Sequence, residues 1–186
     1  MTPRHSFADP DSYTRTAIAF HWLIALLIVC GFGLGWVMTD IPGFTPTKLR
    51  YFSWHKWIGV TVFALAVVRI LWRATHAAPP LPRSMSAWQR MAAQVAHVLL
   101  YALMIVIPAS GYLYSSASNI PVVYLGLVRL PMLISPDPHL KVVLKTVHVT
   151  LNYGLLALVV LHVAAAIKHQ WLDRDGLLSR MIPFIK

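Results

Sequence analysis

Five histidines fall within long apolar stretches of the 186-residue chain: His21, His55, His97, His148 and His162. A coordinating side chain is costly inside a bilayer, so each is read first as functional. His148 and His162 stand fourteen residues apart. That interval is nearly four helical turns, so both rings face nearly the same way, about 21 Å apart along the axis. His21, six residues after Arg15 at the start of the first apolar stretch, shares the depth of His162. His55 opens the second stretch, which runs the other way, and shares the depth of His148. Two stacked pairs follow, His55 with His148 in an outer layer and His21 with His162 in an inner one. Two imidazoles saturate an iron axially, favour outer-sphere electron transfer over oxygen binding and add no charge to an apolar bundle. The pattern therefore predicts two stacked bis-histidine haem sites that carry an electron across the bilayer in two hops. Gly31, Gly33, Gly35, Gly59, Gly111, Gly154 and the run from Ala164 to Ala166 are small enough to admit wide porphyrins.

His97, near the start of the third stretch, and His169, seven residues after His162, would lie beside the inner pair. Histidine exchanges protons near neutral pH, so these two are candidates for protonating a quinone. His97 also remains open as an inter-helix hydrogen-bonding residue, or as the sixth ligand in place of His21. His5, His76 and His139 fall in flanks or loops and are read as solvated. Haem propionates need cationic partners. Arg15, Arg69 and Arg73 flank the inner layer for that purpose, and Arg50, Lys56 and Lys145 the outer one, where Lys56 and Lys145 also make a positive mouth for a small anion. Each of these cations is equally readable as a snorkelling membrane anchor. A lone Cys30 excludes an intramolecular disulfide and a multi-cysteine metal site. All six acids are Asp and none lies within an apolar stretch, so neither a buried carboxylate relay nor a carboxylate di-metal site is expected.

The elements that must position these side chains are membrane spans. The chain is 58% hydrophobic and 12% charged, with mean hydropathy +0.63, where soluble domains carry roughly a quarter charged residues. Four apolar runs reach the length needed to cross a bilayer: Thr16 to Met38, Trp54 to Trp72, Ala92 to Leu113, and Val147 to Trp171. The first carries His21 and Trp22 in its opening turns and is expected to be retained rather than cleaved. The prediction is an all-α integral membrane protein, a single domain over 1–186 formed by a four-helix bundle enclosing two haems. Four spans place both termini on one side. That side holds ten of the 16 Lys and Arg, which predicts cytoplasmic termini. The net charge of +10 lies in clusters between spans rather than on one face, so nucleic acid is not an expected partner. Ala77 to Trp88, with Pro79, Pro80 and Pro82, reads as an extended linker. The outer loop from Tyr114 to Thr146 is expected to hold a short interfacial helix.

Several segments carry a resemblance: RTAIAFHWL (Arg15 to Leu23), WHKWIGVTVFALAVVRILWR (Trp54 to Arg73), PASGY (Pro108 to Tyr112), HVAAAIKH (His162 to His169) and DRDGLLSRM (Asp173 to Met181). Together they resemble the bacterial cytochrome b-561 family over nearly the whole chain. The resemblance implies a four-helix inner-membrane protein with two haem b groups and quinone exchange. His21 and His162 would hold the cytoplasmic-side haem, His55 and His148 the periplasmic-side haem, and His97 and His169 would stand beside the quinone as non-ligands. One member of that family is a superoxide oxidase reducing ubiquinone, and Lys145 falls where it has a lysine near its outer haem.

The expected function is electron transfer between an outer-face donor, superoxide or a periplasmic redox partner, and ubiquinone within the lipid bilayer. One alternative is a cytochrome subunit relaying electrons for a dehydrogenase or hydrogenase. An alternative of another class is a haem-free membrane anchor or metal transporter, although transporters favour carboxylates beside their histidines.

Overall fold

A computed structural model of the protein describes residues 12–82, 84–182 and 184. His5, and Arg4, Arg83 and Lys186 among the ten cations counted on the terminal side, lie outside the described residues. The order is α1 (Arg15–Asp40), α2 (Pro46–Thr75), α3 (Ala87–Ala117), β1 (Val123–Tyr124), β2 (Val128–Arg129) and α4 (Pro138–Trp171). Each helix opens on a side chain that caps its free amides. Thr14 accepts from the Ala17 amide, Thr45 from Lys48, and Asp137 from His139 and Leu140, while Ser86 and Gln89 form a reciprocal capping box. Pro46 and Pro138 stand at the first turns, where no amide hydrogen is needed.

These caps set the helix starts outside the apolar runs, so α2 begins at Pro46 rather than Trp54 and α4 at Pro138 rather than Val147. With 34 residues, α4 is about 51 Å long against a hydrocarbon core of about 30 Å. Its first turns therefore project beyond the membrane. All four helices are long and apolar enough to cross a bilayer.

The outward faces are apolar, with Leu26, Val29, Leu71, Val98, Val160 and Leu161 all exposed, as suits a lipid solvent. Ile24, Val62, Ala66 and Met104 form a buried cluster joining α1, α2 and α3, with Leu27, Ile58 and Tyr101 packed around it. On α4 the buried Leu155 stands seven residues from both His148 and His162. The packed centre thus separates two histidine levels. Sequential helices pack against one another, α1 on α2, α2 on α3 and α3 on α4. Among the described residues, α4 makes no close backbone approach to α1 or α2.

The loop after α3 departs from the expected interfacial helix. It forms an antiparallel hairpin pairing Val123 with Arg129 and Tyr124 with Val128. Leu125 and Gly126, both at positive φ (53° and 74°), make the tight turn, closed by the Leu127 amide donating to the Tyr124 carbonyl at 3.0 Å. Valine-rich flanks and a turn glycine favour strands over a helix here. The hairpin is pinned to α2: Trp57 Nε1 donates to the Val123 carbonyl at 2.7 Å, and the Thr61 and Tyr124 hydroxyls meet at 2.9 Å. At the opposite end the tail after α4 folds back, Trp22 Nε1 donating to the Met181 carbonyl at 2.9 Å and Arg180 to Pro80 at 2.6 Å.

Candidate functional site

At the hairpin end, α2 brings His55 to His148 of α4 with ring centres 6.2 Å apart and planes at 85°. At the end bearing the termini, α1 brings His21 to His162 of α4, also at 6.2 Å, with planes at 56°. The backbones of α1 and α2 stay away from α4, so these rings reach across the open space between helices. With metal–imidazole bonds of about 2 Å, both spacings leave room for an ion between the rings. His97 of α3 approaches His162 at 5.5 Å, so three imidazoles gather at this level.

The hairpin-end pair has its remaining nitrogens fixed. His55 Nδ1 donates to the Gly31 carbonyl at 3.0 Å, and His148 Nδ1 meets the Ile107 carbonyl and the Ser110 hydroxyl, each at 3.1 Å. A carbonyl only accepts, so the proton sits on Nδ1 and each Nε2 keeps its lone pair for a metal. Gly111 makes room for this: a Cβ there would stand 2.9 Å from His148 Cε1 and 3.1 Å from its Nδ1. A largely apolar cavity of about 400 Å³ opens beside both rings, bordered by Lys56, Gly59, Phe63, Tyr112 and Tyr114. That volume lies in the range of cofactor pockets. Val122, Leu130 and Leu133 of the hairpin loop roof it, and the Tyr112 hydroxyl donates to the Pro131 carbonyl. Lys145 lines a second groove of about 600 Å³ with Lys141, and Tyr114 borders both spaces.

The other pair is set differently. Arg69 Nη2 donates to His21 Nδ1 at 3.3 Å, and its guanidinium carbon lies 5.4 Å from the centre of the Tyr101 ring. Arg69 thus lies at this level, whereas Arg15 is exposed at the start of α1 and is not among the residues lining the pocket beside Arg69. His169 is buried at the end of α4, where its Nδ1 donates to Asp175 Oδ2 at 2.7 Å and lies 3.0 Å from Asp173 Oδ2. Asp175, which lies beyond the end of α4, has its side chain 5% exposed. Positive φ at Arg174 and Gly176 turns the tail back onto the helix end. The Asp-x-Asp-Gly run after α4 was the available signal. Lys168 pairs with Asp173 and holds its carboxyl below the usual aspartate range.

The fold and the facing imidazoles define a helical membrane protein of the b-cytochrome class. Residues 12–184 match the family model described as prokaryotic cytochrome b561, and the chain belongs to that family. It is therefore a multi-pass prokaryotic membrane protein of a haem-b electron-transfer family. Cytochrome b561 homolog 2 of Escherichia coli K12 is 33% identical over 93% of this chain and 92% of its own length. Cytochrome b561 homolog 1 of the same organism is 26% identical over 93% and 98%. A protein described as probable superoxide oxidase CybB, from Yersinia pestis, is 28% identical over 92% and 96%.

Proposed function

We propose that the chain holds two haem b groups, one between His55 and His148 and one between His21 and His162, and passes electrons from superoxide to ubiquinone. The observation carrying this reading is the pair of imidazole couples, each with ring centres 6.2 Å apart, reaching across space that the helix backbones leave open. Haem bound at each level would supply one-electron storage there.

The protein's own residues do the rest. Lys56, Lys141 and Lys145 give the hairpin end a cationic mouth that draws in a small anion. The hairpin roof limits water above the His55–His148 cavity. At the other end the His97 imidazole lies beside His162 and can hand a proton to a quinone oxygen, with His169 and its two carboxylates at the end of α4. Two superoxide anions lose one electron each and leave as dioxygen. One quinone gains two electrons and two protons and becomes quinol. By the charge bias the termini face the cytoplasm, so donor and quinone are met at opposite membrane faces.

Proteoliposomes carrying the protein and a short-chain ubiquinone, supplied with superoxide outside, test this. One quinol per two superoxide consumed is the expected yield, while haem that superoxide does not reduce would overturn the donor. A relay for a partner enzyme is the second reading, favoured by the exposed Leu125 and Leu127 at the hairpin tip. A subunit that co-purifies at one copy per chain and reduces the haems would establish it.

A further inference from the structure

Lys141 and Lys145 stand four residues apart on α4, and with Val142, Thr146, Val149 and Thr150 they make one exposed stripe along the helix. Tyr114 of α3 lines the same groove, of about 600 Å³. Its chemistry changes along its length. The apolar run of α4 opens at Val147, so the backbones of Lys145 and Lys141 stand roughly 3 Å and 9 Å outside that boundary, while Val149 and Thr150 stand inside it. The polar layer of a bilayer is about 5 to 8 Å deep on each side, and flexible lysine stems bring both ammonium groups to the depth of the lipid phosphates. Among the described residues neither ammonium has an ion-pair or hydrogen-bond partner. Asp137, one turn before Lys141, uses its Oδ1 to accept from the His139 and Leu140 amides. A groove that is cationic above the hydrocarbon boundary and apolar below it matches an amphipathic anion, because a small soluble anion would use only the upper half.

We infer that this groove seats an anionic glycerophospholipid of the leaflet at the hairpin end, its phosphodiester between Lys141 and Lys145 and an acyl chain along Val149. Two ammonium groups on one helix face give the phosphate charge-assisted hydrogen bonds. A glycerol headgroup adds no positive charge, whereas a choline headgroup would bring its own cation up to the lysines, so the site selects for net negative lipid. The inference goes beyond the electron-transfer reading and does not depend on it. Under that reading, a seated headgroup neutralises two of the three lysines of the mouth and leaves Lys56, which borders the cavity beside His55, to face a small anion.

Native mass spectrometry tests this on the detergent-purified full chain, exchanged into micelles with equal amounts of dioleoyl phosphatidylglycerol and dioleoyl phosphatidylcholine, by counting the lipid of each kind retained. The wild type should keep phosphatidylglycerol in at least about tenfold excess. Lys141→Gln and Lys145→Gln should each lower that preference about fivefold, and the double variant should bring the two lipids near parity. Arg129→Gln removes one charge from the hairpin at the same end and should change the preference less than about twofold. Circular dichroism checks that every variant keeps its helix content. Inorganic phosphate and glycerophosphoglycerol, added at the lipid's concentration, should displace none of it. Equal retention of both lipids by the wild type, a preference that survives the double substitution, or a loss as large in Arg129→Gln as in the lysine variants would overturn the site. Displacement by either soluble phosphate would overturn a lipid as its occupant.

Discussion

What each imidazole can hold is decided by the atom that fixes its Nδ1. For His55 and His148 that atom is a carbonyl oxygen one helix away, supplied by Gly31 and Ile107, so both rings are oriented before any metal arrives. Gly111 is part of the same arrangement, because a methyl group there meets the His148 ring inside contact distance. Gly111→Ala is therefore expected to push His148 off its carbonyl and to lower haem content at the hairpin-end level by about tenfold or more in affinity, leaving the other level intact, as measured by haem per chain and by difference spectra. The histidines themselves were legible from their spacing along one helix face. The roles of Ile107, Ser110 and Asp175 were not, because contacts between residues of separate segments leave no periodic trace. Arg15 and Arg69 looked equivalent as flanking cations, and only the packing of α2 against α1 and α3 brings Arg69 alone to the imidazoles.

Among the elements, the hairpin and the tail close opposite ends of the bundle. The hairpin is held over its cavity by Trp57 and Thr61, each bond worth about 1 kcal/mol. Trp57→Phe and Thr61→Val are each expected to leave the roof roughly fivefold more open, read as faster reduction by an aqueous reductant in a stopped-flow experiment; unchanged rates would mean that the hairpin is no barrier. The tail answers to acid. Lys168 depresses the Asp173 carboxyl, so this clasp is fully present above the ordinary aspartate value of about 3.9 and is lost as pH falls through the lower folded value. A spin label at Phe184→Cys, in a Cys30→Ser background, should gain mobility only below that range. Lys168→Gln should move the onset upward toward it. The four spans were evident from apolar runs of sufficient length. Their starts were not, because the caps of α2 and α4 lie in polar sequence beyond the hydrophobic core, and the hairpin was hidden in a loop whose prolines and apolar residues also suit an interfacial helix.

Over the whole molecule the two histidine levels stand about 21 Å apart on α4, with Leu155 and the cluster of Ile24, Val62, Ala66 and Met104 packed between them. The central claim is that each level holds its own haem through one histidine of α4 and one from α1 or α2. The direct measurement is iron and protoporphyrin per chain in detergent-purified protein, with reduced-minus-oxidised absorption spectra, for the wild type, His148→Ala and His21→Ala. Two b-type haems per chain are predicted, with each substitution removing about one and sparing the other. A haem-free protein, or a single haem that survives both substitutions, would contradict the account.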